Sequence, residues 1–339
     1  MKTESILLPE KGRAVVVTEE LDVENLAENE AVIRAEASMI SAGTELSRVF
    51  AIKEGFSYPV RPGYSAAGVV LAKGKGLEDL QVGDRVFYSG PHQSVCRFSR
   101  GGRTQGPRIF KLPQGMDAKA ASAITLGLVA ISGVHATEVK LGDTLAVFGL
   151  GTIGLIAALL YQKQGARVIA VDPVESRCAL ARRLGIAETL SCPPDRQVEA
   201  LRDLTGGRGV DIAVDVTGVS AAIEHAVLSC GKYGQAVLLG SPRAAYDCNI
   251  TPLLSAIHMK MLRVVGAFNS LYPVYETEGS RLSVARNFQV ICRLIQSGEL
   301  DIEALVSHVI RPEEAEEAYH GLMYDREYYR CVVIDWSDR

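Results

Sequence analysis

No run of apolar residues in this sequence is long enough for a membrane span. The longest, residues 153–161, falls far below the ~20 that a bilayer requires. Positive charge is not in excess either: thirty-six Lys and Arg against forty Asp and Glu leave a formal net charge of −4. Without a basic field the chain is not expected to bind nucleic acid. Also absent is any C-x-x-C pair. The seven cysteines, Cys96, Cys178, Cys192, Cys230, Cys248, Cys292 and Cys331, are scattered, and their spacing offers neither a zinc site nor a disulfide framework. An odd count with no secretory signal ahead of it predicts reduced thiols and a cytoplasmic protein. An apolar share of 47% with only 22% charged residues excludes a disordered chain, and 339 residues suffice for two domains, three at most.

What is present divides into two patterns. In the first third, short β-rich runs at 14–18, 31–37, 68–71 and 85–88 are separated by Gly, Pro, Glu and Asn. They predict a compact antiparallel barrel with few helices. From about residue 120 to 267, apolar strands at 144–148, 167–171, 188–190, 212–216, 236–239 and 262–267 alternate with helical stretches at 152–164, 175–184, 197–204, 221–229 and 253–259. Near-continuous apolar strands joined by helices predict an α/β, doubly wound domain on a six-stranded parallel sheet. The last elements, a helix at 284–297, a strand at 306–310, a helix at 312–323 and a strand at 331–335, are too few for a third domain and are expected to complete the barrel. The expected division is therefore 1–123 plus 269–339 for the barrel and 124–268 for the parallel sheet.

The strongest motif is Gly149-Leu150-Gly151-Thr152-Ile153-Gly154, directly after an apolar strand and at the start of a helix. Gly149 permits the tight turn, Gly151 lets the backbone approach a pyrophosphate, and Gly154 lets helix and strand pack closely. The free N–H groups of Thr152 and Ile153 would then face the phosphate charge at the helix start. At the end of the next strand stands Asp172, placed to accept hydrogen bonds from an adenosine ribose and to repel a 2′-phosphate, which favours NAD(H) over NADP(H). Arg177 lies five residues on, within reach of the same ribose or of a phosphate. The plainer alternative is an aspartate that caps the next helix.

These motifs, with Arg61-Pro62-Gly63-Tyr64-Ser65-Ala66-Ala67-Gly68-Val69-Val70, Val82-Gly83-Asp84-Arg85-Val86 and Val214-Asp215-Val216-Thr217-Gly218, resemble the medium-chain dehydrogenase/reductase superfamily across nearly the whole chain. The resemblance implies a GroES-like β-barrel catalytic domain beside a Rossmann domain. It also implies that Thr217, the Leu239-Gly240-Ser241-Pro242 turn and Phe268 serve the nicotinamide end. Zinc-dependent members hold catalytic zinc through a cysteine, a Gly-His-Glu histidine and a third Cys or Glu. Here those positions fall on Ser41 or Ala42, on Tyr64 of Gly63-Tyr64-Ser65, and within Ile124-Thr125-Leu126. None is a good zinc ligand. Glu45 stands where the family has an acid behind the ligands, and residues 90–110 replace the four-cysteine structural lobe with Cys96 alone. No metal site is expected.

Chemistry without zinc falls to other donors. Tyr64 could hydrogen-bond a carbonyl or carry a proton; alternatively it fills the space left by the metal with its hydroxyl satisfied locally. Thr44 matches the family's relay residue, with Ser41 and Glu45 on the same turn. His92 reads as a fixed turn residue or an acid/base group. Four arginines in the segment 97–108 form a cationic loop that either guides an anionic substrate or is simply solvated or an oligomer contact. The expectation is a zinc-independent, NAD(H)-dependent enzyme interconverting a secondary alcohol and a ketone. Its small-molecule substrate would be a polyol, a cyclitol, or another sugar-like or cyclic biosynthetic compound, and the enzyme a homodimer. An NADPH-dependent enoyl or quinone reductase and a non-catalytic dinucleotide-binding sensor are the alternatives.

Overall fold

A computed structural model describes every residue except 53, 54, 103, 243 and 280, and the described residues form fifteen strands. Arg103 of the cationic loop lies outside the described residues. The chain divides into two units, Met1–Thr125 with Ser270–Arg339, and Leu126–Asn269.

The first unit is organised by one long strand, Glu30–Ile40, whose residues are mostly buried. It pairs antiparallel with Ala66–Lys73 over residues 31–38, with register shifts at Val32/Ile33 and Ala35/Ala37. Such bulges bend and twist a strand. Its first half also pairs with Val95–Ser99 and its last with Val332–Asp335. The sheet continues through Arg85–Tyr88 to Ile109–Lys111 on one side and through Val332–Asp335 to His308–Ile310 on the other. The C-terminal segment therefore supplies two strands of this sheet.

Three strands were not marked by apolar alternation: Lys2–Leu7, Val95–Ser99 and Ile109–Lys111. In the first, the inward positions Thr3 and Ser5 are polar, at 2% and 1% exposure, which conceals the period of two. The expectation of few helices also needs correction. Ala42–Val49, expected as a turn, is a two-turn helix whose Leu46 and Val49 join Phe50, Tyr319 and Trp336 in one apolar cluster. Ala118–Ser122 is helical as well.

The second unit is a six-stranded parallel sheet in the order Glu188–Leu190, Arg167–Val171, Thr144–Phe148, Val210–Asp215, Cys230–Leu238, Arg263–Gly266. This is the doubly wound arrangement that the alternating pattern predicts. All five residues of Thr144–Phe148 are buried, as a central parallel strand requires. Strand Cys230–Leu238 begins six residues before its expected start, because Gly231, Lys232, Tyr233 and Gly234 hide the extension behind polar and glycine positions. Among the described residues no helix is long and apolar enough to cross a membrane.

Candidate active site

In the first unit, Ser41 ends the long strand's connection and caps helix Ala42–Val49, but its side chain does not make the capping bond. Glu45, one turn in, reaches back instead: its Oε1 accepts from the Ser41 amide at 2.7 Å. The Ser41 hydroxyl is thereby left to face Tyr64, whose phenol donates to Ser41 Oγ and lies 3.3 Å from Thr44 Oγ1. Tyr64 is carried by the loop entering strand Ala66–Lys73. Gly63 just before it has φ +102, and a Cβ there would lie 2.5 Å from the His92 nitrogen and 2.9 Å from its ring. Only glycine permits that approach, so the Tyr64 loop lies directly on the Pro91–His92 turn, with the His92 amide donating to the Pro62 carbonyl at 3.0 Å.

Burial pushes the Tyr64 phenol above its ordinary range; the Ser41 and Thr44 hydroxyls pull it back, and the Glu45 charge pushes it up again. At neutral pH this hydroxyl is a proton-bearing donor. His92 is wholly buried, with Nδ1 2.8 Å from Ser38 Oγ and Nε2 2.9 Å from Glu45 Oε2. All five expected residues of this half, Ser41, Thr44, Glu45, Tyr64 and His92, thus come together. Thr44 is exposed and Tyr64 partly so, whereas Glu45 and His92 lie behind them.

This donor set does not fit a catalytic zinc. The cluster itself is three hydroxyls, whereas zinc takes thiolate, imidazole or carboxylate, and the adjacent imidazole and carboxylate are bonded to each other. Ser65, beside Tyr64, is buried and donates to the Ser122 carbonyl at 2.5 Å. Among the described residues no three His, Cys, Asp or Glu side chains form a metal-binding group. Cys96 packs beside Tyr88 in the core, and burial pushes its thiol up to about 12.

In the second unit each glycine of the turn has a separate physical reason. Gly149 has φ +94, and a Cβ there would meet Thr217 Cγ2 at 2.5 Å; one on Gly154 would run into the Gly149 carbonyl oxygen. Around Gly151, by contrast, nothing lies within 4 Å, which leaves open space where a phosphate would approach. Gly151 caps helix Thr152–Lys163, so the amides of Thr152 and Ile153 belong to its first turn, at the positive end of the helix dipole. Asp172 is buried and shapes this turn: it accepts from the Leu150 amide at 2.8 Å and the Val174 amide at 2.9 Å, with Arg177 Nη1 at 3.4 Å. This cradle of backbone donors with an acid at its edge fits a dinucleotide.

A further residue organises the other strand ends. Asp215 is buried and accepts from Thr217 Oγ1 at 2.6 Å and from the Gly218 amide at 3.0 Å, while its carbonyl receives the Leu239 and Gly240 amides. Gly218 and Gly240 allow the two turns to touch: a Cβ on Gly240 would strike Val216 and Gly218, and one on Gly218 would strike Ser241. Asp215 therefore links Thr217 and Leu239, Ser241 lies against Gly218, and Phe268 is exposed just past the adjacent strand. The sequence motif contained Asp215 without revealing this role; its signal is an aspartate two and three residues before backbone donors at a strand end.

The cationic loop resolves unequally. Arg97 is held by Glu30 at 2.6 Å and Arg100 by both oxygens of Asp79 at 2.7 and 2.9 Å. These two arginines tie strand Val95–Ser99 to neighbouring acids. Arg108, whose guanidinium is pushed down by burial, has its Nε unpartnered.

Two family models match the chain: an alcohol dehydrogenase GroES-like domain over residues 27–120 and a zinc-binding dehydrogenase over residues 152–282. Among curated proteins, (R,R)-butanediol dehydrogenase of Bacillus subtilis is 30% identical over 298 residues, covering 81% of each chain. D-guloside 3-dehydrogenase of Escherichia coli is 28% identical over 261 residues, 76% of this chain and 72% of the relative. Among solved structures, galactitol-1-phosphate dehydrogenase from Escherichia coli superimposes with a TM-score of 0.83 at 21% identity, covering 98% of this chain and 99% of that one. That likeness concerns the fold alone.

Proposed function

The chain belongs to the medium-chain dehydrogenase/reductase family of alcohol dehydrogenases, and from that premise we propose that it is an NAD(H)-dependent enzyme that interconverts a secondary alcohol and a ketone without zinc. The observation that carries this reading is the Ser41–Thr44–Tyr64 hydroxyl cluster, whose Ser41 and Tyr64 fall at sequence positions that the family resemblance assigns to zinc ligands. The curated relatives act, by their names, on a diol and a sugar derivative. A polyol, cyclitol or other sugar-like small molecule is accordingly the proposed substrate class.

Bound NAD(H) supplies the hydride acceptor or donor. The chain's own part is to orient the substrate and move a proton. Tyr64, with its phenol held protonated, donates a hydrogen bond to the substrate oxygen and serves as the acid when a ketone is reduced. Ser41 and Thr44 take the other side of the exchange, and Thr44, being exposed, passes the proton to solvent. At the cofactor, the Gly149–Gly154 turn holds the pyrophosphate and Asp172 with Arg177 the adenosine ribose. Thr217, Leu239, Ser241 and Phe268 serve the nicotinamide carboxamide.

The test is a titration of NADH and NADPH side by side, followed by a polyol and cyclitol panel with metal analysis of the purified protein. Tighter NADPH binding would refute the cofactor assignment, and stoichiometric zinc would refute the metal-free one. We also propose a homodimer, supported by edge strand Arg263–Gly266, which pairs only with Cys230–Leu238 among the described residues. It lies beside the exposed Met259, Met261, Val264 and Phe268.

A further inference from the structure

Behind the hydroxyl cluster lies a chain of polar side chains with no access to water. Ser38, His92, Tyr319 and Trp336 are at 0% exposure and Glu45 at 1%. Their bonds are Trp336 Nε1 to Ser38 Oγ at 2.9 Å, Ser38 Oγ to His92 Nδ1 at 2.8 Å, His92 Nε2 to Glu45 Oε2 at 2.9 Å, and Tyr319 Oη to Glu45 Oε2 at 2.6 Å. The other carboxylate oxygen takes the Ser41 amide at 2.7 Å.

The protons in this chain follow from the requirement that every buried donor be paired. An indole nitrogen can only donate, so Ser38 Oγ is an acceptor from Trp336. Ser38 then has one proton to give, and His92 Nδ1 is the one remaining partner recorded for it among the described residues. A nitrogen that accepts carries no proton, so the proton of a neutral imidazole lies on Nε2 and points at Glu45. Tyr319 is likewise a donor: burial, with the Glu45 charge beside it, holds its phenol well above the ordinary range. Glu45 is then a buried carboxylate receiving three donors, from His92, Tyr319 and the Ser41 amide. A buried charge persists only when saturated in this way.

We propose that Tyr319 and His92 are positioning residues, His92 as the neutral Nε2–H tautomer, which fix Glu45 and through it the turn that presents Ser41 and Thr44 to Tyr64. The catalytic part of the proposal rests on the alcohol–ketone reading above; the tautomer does not. Two of the donors that stabilise the site thus come from the C-terminal segment, Tyr319 directly and Trp336 through Ser38, almost three hundred residues after Ser41.

The first test is long-range proton–nitrogen NMR on protein carrying labelled histidine, with the His92 signal identified by its loss in His92→Gln. The expected result is the Nε2–H tautomer; an imidazolium or the Nδ1–H tautomer overturns the proposal. The second test is kinetic, on whichever alcohol of the polyol panel the wild type oxidises. Losing one hydrogen bond to a buried charge is expected to lower kcat in Tyr319→Phe about ten- to hundred-fold. KM and NADH affinity should stay within about twofold. His92→Gln, whose amide can accept from Ser38 and donate to Glu45, should keep more kcat than His92→Leu. Equal loss in both His92 variants, or a Tyr319→Phe change confined to KM or NADH affinity, would overturn the positioning role. If the wild type oxidises no alcohol, the functional reading fails, and the NMR result still decides the tautomer.

Discussion

The two units build their candidate sites from different material. The glycine turn is six consecutive residues, and its shape is set by backbone: a positive φ at Gly149, open space at Gly151 and a close approach at Gly154. The hydroxyl cluster is made of side chains from residues 41, 44 and 64, backed by 38, 45, 92, 319 and 336. A backbone site tolerates changes of side chain and fails when a Cβ is added. A side-chain site fails when single atoms are lost, including atoms that never touch the substrate.

That contrast can be broken most severely at Tyr64. Tyr64→Phe removes one oxygen and should reduce turnover of an alcohol by roughly 10²- to 10⁴-fold, the range of a positioned acid or base. NADH binding, measured by fluorescence titration, should be unchanged. Gly154→Ala is the converse experiment. The added methyl meets a carbonyl oxygen, so overpacking should cost roughly 1–3 kcal/mol. Calorimetry should register that cost, and NADH affinity should fall while the Tyr64 cluster keeps its hydrogen bonds.

A subtler change sharpens the comparison by altering charge while keeping shape. Glu45 raises the Tyr64 phenol, so Glu45→Gln should let Tyr64 ionise at lower pH. The alkaline limb of the kcat profile for ketone reduction, where the protonated phenol is lost, should move to lower pH; movement to higher pH would contradict the arrangement. The smallest effect is expected at Arg100→Ala. Its ion pair with Asp79 leaves the acid half exposed, and pairs open to solvent contribute about 0–1 kcal/mol. Activity and thermal midpoint should barely change.

How far the sequence was legible follows the same division. Strand–glycine–helix spacing revealed the parallel sheet and its turn, because period and punctuation are local. Helix Ala42–Val49 is not legible as a helix: it is only eight residues long, and Ser41, Gly43 and Thr44 mask its two apolar positions. Glu45 and His92 could be nominated one by one, yet nothing local says that they bond to each other. Tyr319 and Trp336 carry no motif. They enter the site only because strand Val332–Asp335 pairs with Glu30–Ile40 and the preceding helix packs on Ala42–Val49, which is long-range information.

Trp336 has one more consequence, and it is optical. It is the chain's single tryptophan, fully buried, with its indole nitrogen bonded to Ser38. Tryptophan emission from this protein therefore originates wholly in the first unit, at the far end of the histidine–carboxylate chain. Native emission should be blue, and a red shift would report water reaching that chain. The second unit, which has no tryptophan, could unfold without a direct tryptophan signal of its own.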